Sequence, residues 1–204
     1  IHIKDMAEKC NIPINIIGQL EEKLDEAGIE HLVKIAEFLN TTVEQLVVKD
    51  IEEVAKRLNN FKLGLLAMDI DGVLTDGGMY YSQSGDEFKK FNTRDGLAIR
   101  NFVLAGNKAA FISSGINENI IRRRAELLGV QYVYVGTWDK AGILEKWCEE
   151  LGISMQNVAY IGDDLNDLPV FEKAGFSFCP ADAAQEIKNK ATIVLSKKGG
   201  DGCV

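Results

Sequence analysis

Leu65-Leu66-Ala67-Met68-Asp69-Ile70-Asp71-Gly72-Val73-Leu74-Thr75-Asp76 decides how the rest of the chain is read. An apolar run ends abruptly in a carboxylate, a second carboxylate follows two residues on, and glycine comes next. Apolar runs of this length, bounded by glycine and polar residues, suit a strand buried on both faces. Ligands of open parallel sheets bind beyond the carboxyl ends of such strands, where Asp69 and Asp71 would emerge. Two like charges held that close repel, so the stretch asks for a cation or a shared proton. A solvated acidic turn is the alternative for a bare Asp-x-Asp. The apolar strand before it and the carboxylates that recur later in matching context weigh against that.

From Phe61 onward, strands alternate with helices. Residues 108–112, 132–135 and 158–161 read as further buried strands, and residues 96–105, 117–128, 141–151 and 168–174 as the helices between them. This alternation predicts an α/β fold, a Rossmann-like parallel sheet with helices on both faces. The exception is residues 78–92, where Met79-Tyr80-Tyr81 and Glu87-Phe88-Lys89 flank a glycine-containing loop and read as a β-hairpin.

Residues 1–50 read as a small all-α domain. Met6, Ala7 and Cys10, then Ile16, Ile17 and Leu20, then Leu32, Ile35, Ala36 and Leu39 recur at helical spacing. Asn11-Ile12-Pro13 and Ala27-Gly28 break the helices, and Thr42 begins another short turn with Glu44–Val48 behind it. Residues 51–60 carry Val54, Ala55 and Leu58 on one face and read as a linker helix, which leaves 61–204 as the α/β domain. The stretches around Asp5–Ile12 and Lys34–Thr42 resemble the helix-turn-helix of Cro/repressor-type regulators. The recognition helix would be Ile14–Glu21, which offers Asn15 and Gln19 but no Arg or Lys, although phosphate contacts normally supply most of the affinity.

Charge and composition point the same way. The 204 residues are 46% hydrophobic and 26% charged, as in ordinary globular proteins, with net charge −8. Residues 1–50 hold ten acidic and five basic side chains, −5 of that total. Nucleic acid is therefore not expected as a partner, and a packing or oligomerisation role suits residues 1–50 better. Cys10, Cys148, Cys179 and Cys203 are scattered without a CxxC pair, so neither a zinc site nor a disulfide framework is signalled. No apolar run approaches the ~20 residues that span a bilayer, and no signal peptide is read, so the expected compartment is the cytoplasm.

Four pieces sit at the ends of expected strands, and each makes sense around a phosphate. Asp69 and Asp71 supply a carboxylate able to attack phosphorus and a carboxyl able to protonate a leaving alkoxide and then deprotonate water. Ser113-Ser114-Gly115 places a hydroxyl and backbone N–H groups before a helix, which is either an anion site or ordinary capping. Lys140 heads the next helix, where a cation opposes the helix dipole; it is either a solvated lysine or one held for an anion. Gly162-Asp163-Asp164-Leu165-Asn166-Asp167 gathers three aspartates after a buried strand, a donor set suited to a hard ion such as Mg²⁺.

These four pieces, in this order, resemble the haloacid dehalogenase superfamily of phosphotransferases over Phe61–Val204. The resemblance implies that Asp69 is the nucleophile and a Mg²⁺ ligand, and that Asp71 is the acid/base, binding the metal through its carbonyl. It further implies that Ser114, Gly115 and Lys140 hold the phosphate, that Asp163 completes the metal site, and that Asp164 and Asp167 support it. The gaps between motifs hold no room for a cap domain, and similar capless members assemble as homotetramers whose neighbouring subunits close the site.

Finer similarity, in Asp71–Gly77, Phe91–Gly96, Arg122–Ala125 and Lys198–Gly202, is to sugar-acid phosphatases that act on octulosonate 8-phosphates or nonulosonate 9-phosphates. One position departs. Ile116 stands where those enzymes carry Arg or Glu, leaving Arg94 or the Arg122–Arg124 cluster as candidates for a substrate carboxylate. The expected function is a Mg²⁺-dependent phosphomonoesterase acting on a small phosphorylated sugar acid. The alternative is a transcriptional regulator whose larger domain senses a sugar phosphate.

Overall fold

The computed structural model describes residues 3–22, 28–39, 43, 51–136 and 139–204. Thr42, the Glu44–Val48 turn, Ala27 and Trp138 lie outside the described residues. Two compact units emerge, Ile1–Asn60 and Phe61–Val204. The first contains α1 (Ile3–Cys10), α2 (Ile14–Glu22), α3 (Ile29–Leu39) and α4 (Ile51–Asn60). Cys10, Ile12, Ile17 and Ile35 form its small core. The stretch read as a linker is thus helical and groups with the preceding residues.

The second unit is built on six parallel strands in the order β5-β4-β1-β6-β7-β8. They are β1 (Leu65–Met68), β4 (Ala109–Ser113), β5 (Tyr132–Val135), β6 (Val158–Ile161), β7 (Phe176–Cys179) and β8 (Ile193–Val194). The chain leaves β1 to one side through β4 and β5, then returns to its other side with β6. Asp69 therefore lies at the carboxyl edge, on the central strand, where strand order reverses.

Successive side chains of each strand point to opposite faces, so the sheet builds two cores. Leu65 and Ala67 join Ala110, Ile112, Val158 and Tyr160 on one face. That face is covered by α7 (Lys140–Leu151), α8 (Leu168–Phe171) and α9 (Gln185–Lys190), through residues such as Leu144, Val170 and Ile187. Met68 joins Phe111 and Ile161 on the other, under α5 (Thr93–Leu104) and α6 (Glu118–Leu128) through Ile99 and Ile121. Both faces being dry explains why the central strands are continuous apolar runs.

Between β1 and β4 stand a wide turn at Ile70–Leu74, a two-stranded antiparallel hairpin, β2 (Tyr80–Tyr81) with β3 (Glu87–Phe88), and α5. Between β4 and β5 stands only α6. No cap domain is present among the described residues. The expected helix at 96–105 begins three residues earlier, because the Asn92 side chain accepts from the Arg94 N–H and caps the helix there. β7, β8 and α9 are additions that the sequence pattern did not predict.

Candidate active site

The chain turns sharply after β1. Residues Ile70–Leu74 form a single wide turn closed by the Thr75 N–H on the Ile70 carbonyl, 3.0 Å. Gly72 sits inside it with φ +86°, and a Cβ there would collide with the Asp163 carboxylate. Only glycine satisfies both demands, so this position lets the strand-end carboxylate of β1 and the acidic loop after β6 meet. Asp69 is held at both oxygens: Oδ1 accepts the Ile70 N–H at 2.7 Å, and Oδ2 accepts Lys140 Nζ at 2.6 Å.

Lys140 opens α7, and its side chain is 1% exposed. It also donates to Asp167 Oδ1 at 2.7 Å. Asp167 is fully buried and accepts besides from the Tyr160 hydroxyl at 2.6 Å and from the Asp163 N–H at 2.8 Å. The lysine that sits awkwardly against its helix dipole is thus held by two carboxylates rather than by solvent. Asp164 caps the short turn Leu165–Asp167, its Oδ1 accepting the Leu165 N–H at 2.7 Å.

A cavity of about 520 Å³ opens above the strand ends. Asp69, Asp71, Ser114, Gly115, Asp163 and Asp164 all line it. Ser114 Oγ accepts from Asn166 Nδ2 at 3.3 Å, which ties the loop after β4 to the acidic loop after β6. The Gly115 N–H is turned back onto Ser113 Oγ at 3.0 Å. Arg94 is not brought to this cavity: it is exposed on α5, its stem beside Gly202. Ile116 lines the mouth and is 100% exposed.

Carboxylate oxygens of Asp69, Asp163 and Asp167 lie within 4.8 Å of one another. Burial, and then the charges of Asp69 and Asp167, lift the Asp163 carboxyl to about 8, with Lys140 pulling the other way. Burial likewise lifts Asp69 to about 7 against the pull of Lys140. Asp163 Oδ1 is buried with no hydrogen-bond partner among the described residues. An orphaned carboxylate oxygen beside two other buried carboxylates fits a hard divalent cation, whose charge would let them ionise together. The lining reinforces this: among the described residues it carries the carboxylates of Asp69, Asp71, Glu87, Asp163 and Asp164 against the single cation of Lys89. A phosphate ester would meet net repulsion there without added positive charge.

Sequence reasoning singled out neither Lys89 nor Tyr160. Lys89 Nζ lies 2.5 Å from Asp71 Oδ1 and 2.8 Å from Glu87 Oε1, with its side chain 5% exposed. The available signal was the alternation of the hairpin, which puts 87 and 89 on one face. Tyr160 carried no signal, since its ring reads as core and only its hydroxyl reaches Asp167.

Residues 45–204 match the sequence profile of the haloacid dehalogenase-like hydrolases. The chain belongs to that family. Its relatives include the 3-deoxy-D-manno-octulosonate 8-phosphate phosphatase of Haemophilus influenzae, 39% identical over 147 residues, covering 72% of this chain and 80% of the relative. The crystal structure of the corresponding Yersinia pestis enzyme matches with TM-score 0.70 and 37% identity over 74% of this chain and 80% of that one. That of the Moraxella catarrhalis phosphatase, in complex with a magnesium ion, a phosphate ion and a KDO molecule, matches with TM-score 0.70 and 33% identity, over 76% of this chain and 87% of that one. This haloacid dehalogenase-like hydrolase is accordingly an enzyme of the phosphatase class. No helix among its described residues is long and apolar enough to cross a membrane.

Proposed function

We propose that the chain is a Mg²⁺-dependent phosphomonoesterase that hydrolyses a small phosphorylated sugar acid, of the 3-deoxy-octulosonate 8-phosphate or nonulosonate 9-phosphate kind, through a phosphoaspartate at Asp69. The observation that carries this reading is one cavity lined by Asp69, Asp71, Ser114 and Asp163, with Lys140 bonded directly behind Asp69. Its relatives' activity and the magnesium, phosphate and sugar acid held by the Moraxella structure support it.

In this reading the Asp69 carboxylate attacks phosphorus while the P–O bond to the sugar breaks. Asp71 gives its proton to the departing alkoxide, so the sugar leaves as a neutral alcohol. Asp71 then takes a proton from water, which attacks the acyl phosphate, frees inorganic phosphate and restores Asp69. The Ser114 hydroxyl would hold a phosphoryl oxygen from the cavity wall, and Lys140, donating to Asp69 Oδ2 from behind, would balance the charge that gathers there. Asp69 and Asp163 would hold the Mg²⁺ with the Asp71 carbonyl, and the ion would neutralise charge on the transferring phosphoryl group. Asp167 fixes Lys140, and Asp164 shapes the acidic loop.

A homotetramer completes the proposal. The capless mouth is rimmed by exposed Met79, Tyr81 and Ile116, apolar surface that neighbouring subunits would cover.

Purified protein should hydrolyse p-nitrophenyl phosphate with Mg²⁺, lose that activity with EDTA, and lose it in Asp69→Asn. A panel of phosphorylated sugar acids then ranks substrates by kcat/KM. Equal turnover in wild type and Asp69→Asn would end this reading.

A further inference from the structure

Lys89 is out of place in its own element. The hairpin is two residues by two, and Tyr80, Tyr81 and Phe88 around it are 47–58% exposed. Such a ribbon builds no core of its own, so nothing in its folding asks for a buried lysine. Yet the Lys89 side chain is 5% exposed, folded inward onto Asp71 and Glu87.

The geometry assigns a use to this contact. Lys89 takes one oxygen of Asp71, Oδ1, at 2.5 Å, and the Thr75 hydroxyl lies 3.5 Å from the same atom. The other oxygen, Oδ2, faces the loop after β4: a Cβ on Gly115 would stand 3.6 Å from it. We propose that Lys89 is a positioning residue for the phosphatase reaction, its hairpin pinning Asp71 Oδ1 so that Oδ2 alone faces the leaving oxygen of the substrate. Glu87 Oε1 accepts from the same ammonium group at 2.8 Å. The hairpin is then part of the proton-transfer apparatus as well as the wall of the cavity.

This rests on the phosphomonoesterase reading above, and the test separates the two. An aryl phosphate releases a weakly basic phenolate that needs no proton, whereas an alkyl phosphate releases an alkoxide that does. The test compares kcat/KM, which reports the step that phosphorylates the enzyme, for p-nitrophenyl phosphate and for two alkyl phosphates, one with and one without a carboxylate. In Lys89→Met, kcat/KM should fall about tenfold or more for both alkyl phosphates and about threefold or less for the aryl ester. Lys89→Arg should recover part of the alkyl activity. The ratio is taken within one preparation, so a partly unfolded variant lowers both numbers and leaves it unchanged. Equal falls for aryl and alkyl esters would overturn the proposal in favour of a structural staple. A fall confined to the carboxylate-bearing substrate would overturn it in favour of a substrate-binding lysine. Absence of any wild-type hydrolysis would instead remove the phosphatase reading itself.

Discussion

Two lysines meet two aspartates in this site, and they are supported in opposite ways. Lys140 rises from the first turn of a twelve-residue helix, is sealed between Asp69 and Asp167, and does not line the cavity. Lys89 follows a two-by-two hairpin, contacts Asp71, and lines the cavity wall with it. The contacts are nearly equal in length, 2.6 and 2.5 Å. What differs is the scaffold. In the proposed reaction, a charge fixed by the core would suit a transition state that needs steady neutralisation, and one on a marginal hairpin a group that must accommodate substrate.

The comparison breaks most directly at Lys140. Lys140→Met leaves Asp167 buried without its cation, and losing one partner of a buried pair costs about 3–5 kcal/mol. Activity should fall by about a thousandfold or more on aryl and alkyl esters alike, since transition-state charge stabilisation is lost whatever the leaving group. If Lys140→Met shows the leaving-group selectivity expected of Lys89→Met, the two lysines do not have separate roles.

Gly72→Ala tests the turn that lets the two regions share a ligand. The new methyl group meets the Asp163 carboxylate and holds φ in the left-handed region, a strain of about 1–3 kcal/mol. Mg²⁺ affinity, measured by calorimetry, should weaken by about tenfold or more while the far-ultraviolet circular dichroism is retained. Unchanged affinity would mean that Asp163 does not serve the metal.

Tyr160→Phe sharpens the buried side alone. It removes one donor from Asp167 and should lower stability by about 1–2 kcal/mol in a denaturant melt. The alkyl-to-aryl ratio that reports on Asp71 should not move.

The pH response follows from carboxyls raised by burial. Asp163 and Asp69, lifted to about 8 and 7, hold protons in the metal-free fold that the unfolded chain has already lost above the ordinary carboxylate range. The folded state therefore binds more protons between about pH 4 and 8, and its stability falls as pH rises through that window. Mg²⁺ should raise Tm more at pH 8 than at pH 5, as thermal melts will show. An increment independent of pH would place the ion elsewhere. The smallest effect belongs to an exposed pair far from the cavity: Lys173→Ala removes the 2.6 Å contact to Glu145 and should leave Tm unchanged.

Legibility divided along the same line. β1, β5 and β6 stand at the residues expected because a strand buried on both faces must be a short unbroken apolar run. β7 is hidden because Ser177 interrupts its run; that hydroxyl is satisfied by Thr192, fifteen residues on. β8 is two residues long and owes its place to pairing with β7. Gly96 reads as a helix start, yet it lies inside α5, where a side chain would strike Arg124. In the site, Asp69, Asp71 and the acidic loop were visible because each motif is local. Lys89 was not, because its partner lies eighteen residues away across a hairpin whose packing no periodicity encodes. Arg94 is the reverse case: a basic residue in a family-like stretch suggests a carboxylate receptor, and its stem lies beside Gly202, away from the residues that line the cavity.

The most direct test of the whole account is to look for the covalent intermediate. Protein turning over substrate with Mg²⁺ is quenched in acid, reduced with borohydride and mapped by peptide mass spectrometry. The account predicts homoserine at position 69 and at no other aspartate, with none formed when substrate is omitted. Reduction at another carboxylate, or none at all from a burst-competent enzyme, would contradict it.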